Sequence, residues 1–469
     1  MALFFYNTLT RTKEEFIPLI AGTAKIYTCG PTVYDYAHIG NFRAYCVEDL
    51  LRRILQYKGC KVTQVMNITD IDDKIIKACI REKTTLRDFT EEYVKAFFED
   101  IEALNIERAE RYPRATDHIP EMVAIISALT EKGVAYKGED GSFYFSLSQF
   151  SDYGKLARLN FEELKVGVRI KHDEYDKERV SDFALWKSWD EKDGEIFWDT
   201  ELGRGRPGWH IECTAMSMKY LGEQFDIHMG GVDNIFPHHE NEIAQSEAYT
   251  GKKFVNYWIH CEHLLVDHRK MAKRLGNFYT LRDLVSRGFN PLALRYLYIS
   301  NHYRSKLNFT LEALKGAQNT LEGLCDFLRR LSRVTSKAPF TAELEELIKS
   351  AARDFDEKMC DDMNMPLALS SLFTFISEIN RMIDREALPP EGAALVRDFL
   401  LSLDAVLGLR LKDALEKKGL ASDIDGLIAE REAARRARDF RRADEIRDML
   451  KAQGVVLQDT PQGVVWKKL

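Results

Sequence analysis

Apolar and polar positions follow two rhythms in this chain, and the changes between them mark its parts. Lys25 to Cys29 is a short apolar run stopped by Gly30-Pro31, two residues that punctuate a chain. From about Gly40, the residues Ala44, Val47, Leu51, Ile54 and Leu55 recur at helical spacing, and Gly59 is placed to end that helix. Val62 to Met66 then reads as a strand. Strand, helix and strand at this length form the unit of a parallel, doubly wound sheet, whose ligands bind beyond the carboxyl ends of the strands. Here those ends lead into Cys29 to Asn41 and Asn67 to Asp73.

From about 114 to 200 the rhythm breaks, and the stretch reads as an insertion with a strand at Phe143–Leu147 and a charged loop at Lys171–Arg179. Strand and helix patterns resume at Ile227–Glu242 and Phe254–Val266. After about Thr310 the pattern is helical. Leu344, Leu347 and Ile348 lead one helix, and Pro366 suits a first turn ahead of Leu369, Leu372, Phe373, Ile376 and Ile379. Ala421–Asp425 reads as a linker before the arginine-rich stretch Arg431–Lys451. The expected fold class is α/β: a Rossmann-like doubly wound parallel sheet over 1–320 with the insertion, an all-α helical bundle over 321–420, and a small module over 421–469.

Composition narrows the class. A chain of 469 residues is long enough for about three domains. Lys plus Arg is 67 against 74 Asp plus Glu, a net charge of −7, which excludes a uniformly basic nucleic-acid coat but allows a local basic stripe. Eight cysteines are too dilute for a disulfide scaffold. With no basic leader and no run of about 18 apolar residues, the chain is expected to be cytoplasmic and reduced, with no membrane partner.

Three peptides carry candidate chemistry. In Phe236-Pro237-His238-His239-Glu240-Asn241-Glu242, a helix started by Pro237 puts His238 and Glu242 on one face, a spacing suited to zinc; the plainer possibility is an acidic helix start with one core histidine. Cys213, after Trp209-His210-Ile211-Glu212, and Cys29, at a strand end, strengthen the zinc reading, although neither has a CxxC partner. Cys46, Cys60, Cys79, Cys261, Cys325 and Cys360 read as inert core thiols. Ala37-His38-Ile39-Gly40-Asn41 opens a helix whose first N–H groups suit phosphate, with Gly40 giving room and His38 and Asn41 adding donors. Arg269 to Asn277 gathers cations beside Gly276, as a mobile anion-binding loop or a solvated run.

Together and in this order, these peptides resemble the cysteinyl-tRNA synthetases, a class I aminoacyl-tRNA synthetase family, along essentially the whole chain. The likeness runs through Cys29–Asn41, Asn67–Lys74, Gly205–Cys213, Phe236–Glu242 and Lys270–Phe278. It implies one zinc per chain on Cys29, Cys213, His238 and Glu242, taking the substrate thiolate as a further ligand. It implies ATP at His38, Gly40, Asn41, Lys270 and Lys273, with catalysis resting on His38, Asn41, Lys270 and Lys273 and with Mg²⁺ on the phosphates. The substrate cysteine is implied beside Thr69, Trp209 and Asp233. The implied reaction activates L-cysteine with ATP to an adenylate, then passes it to the 3′ end of cysteine tRNA. Asp361–Ala368 resembles the family's helical domain, and Arg435, Arg436, Arg438 and Trp466 fall in a stretch resembling its anticodon module. A monomer is expected.

Four positions depart from the family pattern: Asn41, Ala272, Arg274 and Met229. They keep open an inactive tRNA-binding paralogue. The zinc-site residues would also suit a cysteine ligase acting on an amino sugar, or a metallohydrolase using Glu240 as base.

Overall fold

The computed structural model describes residues 2–159, 182–437, 439–452, 455–460 and 463–468, with backbone alone at Lys273, 414–425 and beyond 451. The charged loop expected at Lys171–Arg179 lies outside the described residues. A hairpin, β1 (Phe4–Asn7) and β2 (Thr12–Glu15), opens the chain. The unit foreseen from the apolar pattern follows as β3 (Thr23–Thr28), α1 (Ile39–Tyr57) and β4 (Lys61–Met66). The first helix ends at Lys58, and Gly59 turns the chain at φ 86°.

Helices α2 (Asp73–Glu82), α3 (Leu86–Ala103) and α4 (Ile119–Glu131) lead into the insertion. It is an antiparallel sheet of β5 (Ala135–Lys137), β6 (Phe143–Phe145), β7 (Phe183–Ser188), β8 (Trp198–Thr200) and β9 (Gly203–Pro207), in the order β5-β6-β7-β9-β8. Helix α5 (Trp209–Leu221), β10 (Phe225–Gly231), α6 (Glu240–Thr250) and β11 (Val255–Cys261) complete the central sheet. Its order is β11-β10-β3-β4, all parallel. The first strands of the two halves, β3 and β10, are neighbours, so the crevice of a doubly wound sheet opens at their carboxyl ends, beside Cys29 and Gly231.

Alternation along the strands sends side chains to opposite faces. Ile26, Ile227, Met229 and Ile259 pack on the face shared with α1, and Tyr27, Val65 and Trp258 on the face covered by α4, α5 and α6. A small sheet of β12 (Leu264–Val266), β13 (Arg269–Lys270) and β14 (Leu307–Phe309) stands beside α1, with α7 (Leu281–Ser286) and α8 (Pro291–Ile299) between its last two strands.

The helices foreseen after Thr310 are α9 (Leu311–Leu331), α10 (Ala342–Cys360), α11 (Met365–Asp384), α12 (Pro390–Leu407), α13 (Leu411–Arg436) and α14 (Phe440–Ala452), followed by the hairpin β15 (Val455–Thr460) and β16 (Gly463–Lys468). The core of α9 to α12 and the start of α13 is continuous with that of α1, whereas Ile446 and Leu450 of α14 belong to a separate small cluster. The linker expected at Ala421–Asp425 is corrected: α13 runs straight through it. That pentapeptide contains no proline or glycine to stop a helix, and Leu427 and Ile428 just beyond it pack against Ile446 and Leu450 of α14. No described helix is long and apolar enough to cross a membrane.

Candidate active site

Three segments distant in sequence meet at the crevice, the third of them supplying two donors. Cys29 follows β3, Cys213 lies on α5, His238 lies in the wide turn Ile235–His239, and Glu242 lies on α6. Their Sγ, ring nitrogen and carboxylate atoms all fall within 4.8 Å of one another. His238 Nε2 is 3.1 Å from Glu242 Oε1, as their spacing of four predicts, yet that oxygen is buried without an aligned hydrogen-bond donor. Burial pushes the Glu242 carboxyl well up and the His238 imidazole well down. A hydrogen bond shared with Cys213, then burial, holds the Cys29 thiol up. Two thiols, an imidazole and an orphaned carboxylate oxygen, all buried except the half-buried Cys29, fit a zinc ion.

Neighbouring side chains hold these donors in place. The Trp209 ring stacks on His238 with centroids 4.3 Å apart, and the His238 Nδ1 meets His210 Nδ1 at 2.8 Å. His228 Nε2 pairs with the other Glu242 oxygen at 2.9 Å. His239 lies 3.4 Å from Cys29 Sγ and continues through His260 to the Thr8 hydroxyl, at 2.8 and 2.7 Å. The sequence reading missed His210, His228, His239 and His260 as supports. Their available signal was the recurrence of histidine around the candidate ligands, with His210 beside Trp209, His228 in β10, His239 next to His238 and His260 near the end of β11.

His228 and His239 also form a second possible donor set with Cys29 and Glu242. In it, Glu242 Oε2 is already bonded to His228 and His239 Nδ1 to His260. The orphaned Glu242 oxygen faces His238 instead, so the set containing both thiols is the better fit. Among the other cysteines, burial raises the Cys46 and Cys261 thiols to about 12, as inert core positions require. Cys60 is only half-buried, because it sits in the turn after α1.

The residues implied for substrate cysteine take distinct places. Thr69 is buried, its hydroxyl donating to Glu212 at 3.2 Å and accepting from Asn67 Nδ2 at 3.0 Å. Asn67 in turn accepts from the Gly30 N–H at 2.9 Å, and a Cβ on Gly30 would stand 1.8 Å from the Asn67 carbonyl. Thr69 is thus a strut of the crevice floor. Asp233 is exposed in the turn after β10. Gly231 gives it room, since a Cβ there would lie 2.3 Å from the Asp233 carboxylate. Met229 is fully buried in the regular register of β10, so the bulk it adds points into the core.

His38 caps α1 through a reciprocal pair: its Nδ1 accepts from Asn41 N, and Asn41 Oδ1 accepts from His38 N, both at 3.1 Å. An accepting Nδ1 leaves the imidazole proton on Nε2 as a donor. Burial lowers the pKa of this imidazole, keeping it neutral. Two of the N–H groups at this helix start have partners within the protein. Ile39 N donates to Tyr279 O at 3.0 Å, and Asn41 N is taken by the His38 ring. Gly40 makes room for neighbouring side chains: its Cβ would lie 3.0 Å from the His38 ring and 3.3 Å from the Met271 methyl.

The cationic loop therefore packs on this helix start. Phe278 meets His38 edge to face at 5.4 Å, and Asn277 accepts from Ala272 N at 2.9 Å while donating to Lys270 O. Asn277 thus fixes the loop where Ala272 offers no hydroxyl. Lys270 ends β13, and the Lys273 side chain lies outside the described residues. Glu240 accepts the N–H groups of Gly154, Leu156 and Ala157 at 2.8, 3.0 and 2.9 Å, a structural anchor that removes it as a hydrolytic base.

At the far end, Arg435 and Arg436 are exposed on α13; Arg435 lies 3.6 Å from Glu432, and Arg436 donates to the Glu432 carbonyl. Arg438 and the Trp466 side chain lie outside the described residues.

Comparisons with known proteins accord with this site. Residues 15–319 match the family described as tRNA synthetases class I (C) catalytic domain, 354–412 the DALR domain, and 417–466 the cysteinyl-tRNA ligase anticodon binding domain. A cysteine–tRNA ligase of Protochlamydia amoebophila is 48% identical over 469 residues, covering 99% of this chain and 98% of that protein. One from Brachyspira hyodysenteriae is 48% identical over 473 residues, covering 99% of each. A Mycobacterium tuberculosis methionyl-tRNA synthetase in complex with methionyl-adenylate shares the fold, with a TM-score of 0.67 at 15% identity over 84% of this chain and 93% of that one.

Proposed function

From the premise that the chain belongs to the cysteine–tRNA ligase family of class I aminoacyl-tRNA synthetases, we propose that the crevice between β3 and β10 activates cysteine with ATP. The protein is a cysteine–tRNA ligase, with cysteine, ATP and tRNA as its substrates. The observation that carries the site assignment is the convergence of Cys29, Cys213 and the His238–Glu242 pair from three distant segments. In our reading these residues hold one zinc ion. When bound, zinc supplies a soft Lewis acid that favours a thiolate over a serine hydroxyl.

The chain's own groups supply the rest. Asp233, exposed at the mouth, receives the substrate ammonium. Trp209 keeps the His238 ring oriented, and the Thr69–Asn67–Gly30 links keep the crevice floor rigid. The His38 Nε2–H, Lys270 and Lys273 meet the ATP phosphates at the positive end of the α1 dipole, and Mg²⁺ bound with ATP would supply further neutralisation of their charge. Carboxylate attack on the α-phosphorus forms the acyl-adenylate and releases pyrophosphate. The tRNA terminal ribose hydroxyl then displaces AMP. Positioning and electrostatics carry both steps, with no covalent enzyme intermediate. Arg435, Arg436, Arg438 and Trp466 contribute to the tRNA contact. The match of 417–466 to an anticodon binding domain weighs against an amino-sugar acceptor.

The test is charging of purified cysteine tRNA by zinc-replete protein, together with the zinc content of Cys29→Ala and Glu242→Ala. Charging with zinc lost in both variants supports the assignment. Charging with full zinc in both overturns it.

A further inference from the structure

Asp362 belongs to the Asp361–Ala368 peptide between α10 and α11, far in sequence from both ATP signatures. It is 1% exposed, and its carboxylate is the meeting point of two bodies. One oxygen accepts from Tyr6 N at 2.8 Å and from the Tyr303 hydroxyl at 2.5 Å. The other accepts from the Arg304 guanidinium, whose Nε lies at 2.8 Å. Asp362 and Met363 both adopt left-handed backbone, at φ 62° and 51°. Two such residues in succession, neither of them glycine, persist only where their surroundings hold them.

The 302–305 loop that Asp362 holds from one side is held from the other by Arg43. This guanidinium is buried and meets no carboxylate among the described residues. Its four bonds go to backbone carbonyls: Glu262 at 2.8 Å, His263 at 2.6 Å, His302 at 3.4 Å, and Ser305. Arg43 lies on α1 two residues after Asn41. Glu262 and His263 lead directly into β12, which pairs with the β13 strand ending in Lys270. The same loop feeds β14, the other partner of β12, and Asn308 there accepts from the His268 N–H at 2.6 Å. Contacts therefore run without a gap from Asp362 through the loop to Arg43, and from there to each ATP-binding element.

We propose that Asp362 is a positioning residue for ATP: through the 302–305 loop and Arg43 it sets the spacing between the helix carrying His38 and the strand carrying Lys270. This rests on the reading of those two elements as the ATP site. Asp362→Asn keeps the side-chain shape and the tolerance for left-handed backbone, and removes the charge that Arg304 requires.

The experiment is cysteine-dependent ATP–pyrophosphate exchange by full-length wild type, Asp362→Asn, Arg43→Lys and the double variant, with bound zinc measured in each. The expected result is a rise in KM for ATP of about fivefold or more in each single variant, with KM for cysteine and bound zinc within about twofold of wild type. The double variant is expected to show less than the product of the single effects. If Asp362→Asn fails to fold, Tyr303→Phe and Arg304→Gln cut the same contact from the other side and are read in the same way. Equal rises in both KM values, an unmoved KM for ATP, or fully multiplicative effects would overturn the inference and leave Asp362 a staple between domains. Absence of exchange in the wild type would remove the ATP-site reading itself, together with this inference; normal wild-type exchange beside an unmoved variant removes this inference alone.

Discussion

His238 and Glu242 stand one helical turn apart with Nε2 and Oε1 at 3.1 Å, yet that carboxylate oxygen has no hydrogen-bond partner among the described residues. A buried carboxylate oxygen left so costs on the order of 1–3 kcal/mol unless a cation completes it. Cys213→Ala and His238→Ala are therefore expected to lose bound zinc and to weaken cysteine binding by about 100-fold or more, while ATP binding stays near wild type. Metal analysis and separate titrations of the two substrates check this. Full zinc occupancy in both variants would refute the assignment.

Gly40 brings the His38 ring and Met271 together. Gly40→Ala forces one of them aside, and kcat/KM for ATP in the exchange reaction is expected to fall about tenfold or more. The cysteine KM is expected to hold. A fall shared equally by both substrates would show that the added methyl disturbs the whole crevice.

The lowered pKa of His38 has a definite sign. Burial favours its neutral form, so the folded value lies below the ordinary 6.5. The contribution of that neutral imidazole to stability is complete above pH 6.5 and is lost as pH falls from there through the folded value. Protonation also removes the Nδ1 acceptor from Asn41 N, opening the cap. The pH profile of kcat/KM for ATP is expected to show no His38-dependent loss between pH 8 and 6.5. An acid limb inside that window that disappears in His38→Asn would contradict this account.

Glu240 sits between zinc-site residues but faces the other way, accepting three N–H groups of the 154–157 segment. Glu240→Ala leaves these donors unpaired and is expected to cost about 3 kcal/mol of stability. Urea unfolding checks this. Unchanged stability with abolished exchange would restore a catalytic role to Glu240.

The fold was legible where periodicity is strong. The β3–α1–β4 unit and the late helices have buried stripes at their own spacing, so apolar pattern alone located them. The i, i+4 pair His238 and Glu242 was legible for the same reason, and family resemblance joined them to Cys29 and Cys213. What pattern misses is contact between segments. The links of Thr69 to Glu212 and Asn67, and of Asn67 to Gly30, leave no trace in the pattern, and neither does the approach of Met271 to Gly40. The 421–425 stretch reads as a linker because its polar composition hides a helix whose continuity is supported by α14.

The most direct test of the central claim is ATP–pyrophosphate exchange by the zinc-replete protein with cysteine and with serine, in wild type and Cys213→Ala. The account predicts exchange with cysteine in the wild type, at least about 10⁴-fold slower exchange with serine, and collapse of the cysteine reaction in the variant. Equal exchange with both amino acids, or full cysteine exchange in Cys213→Ala, would contradict it.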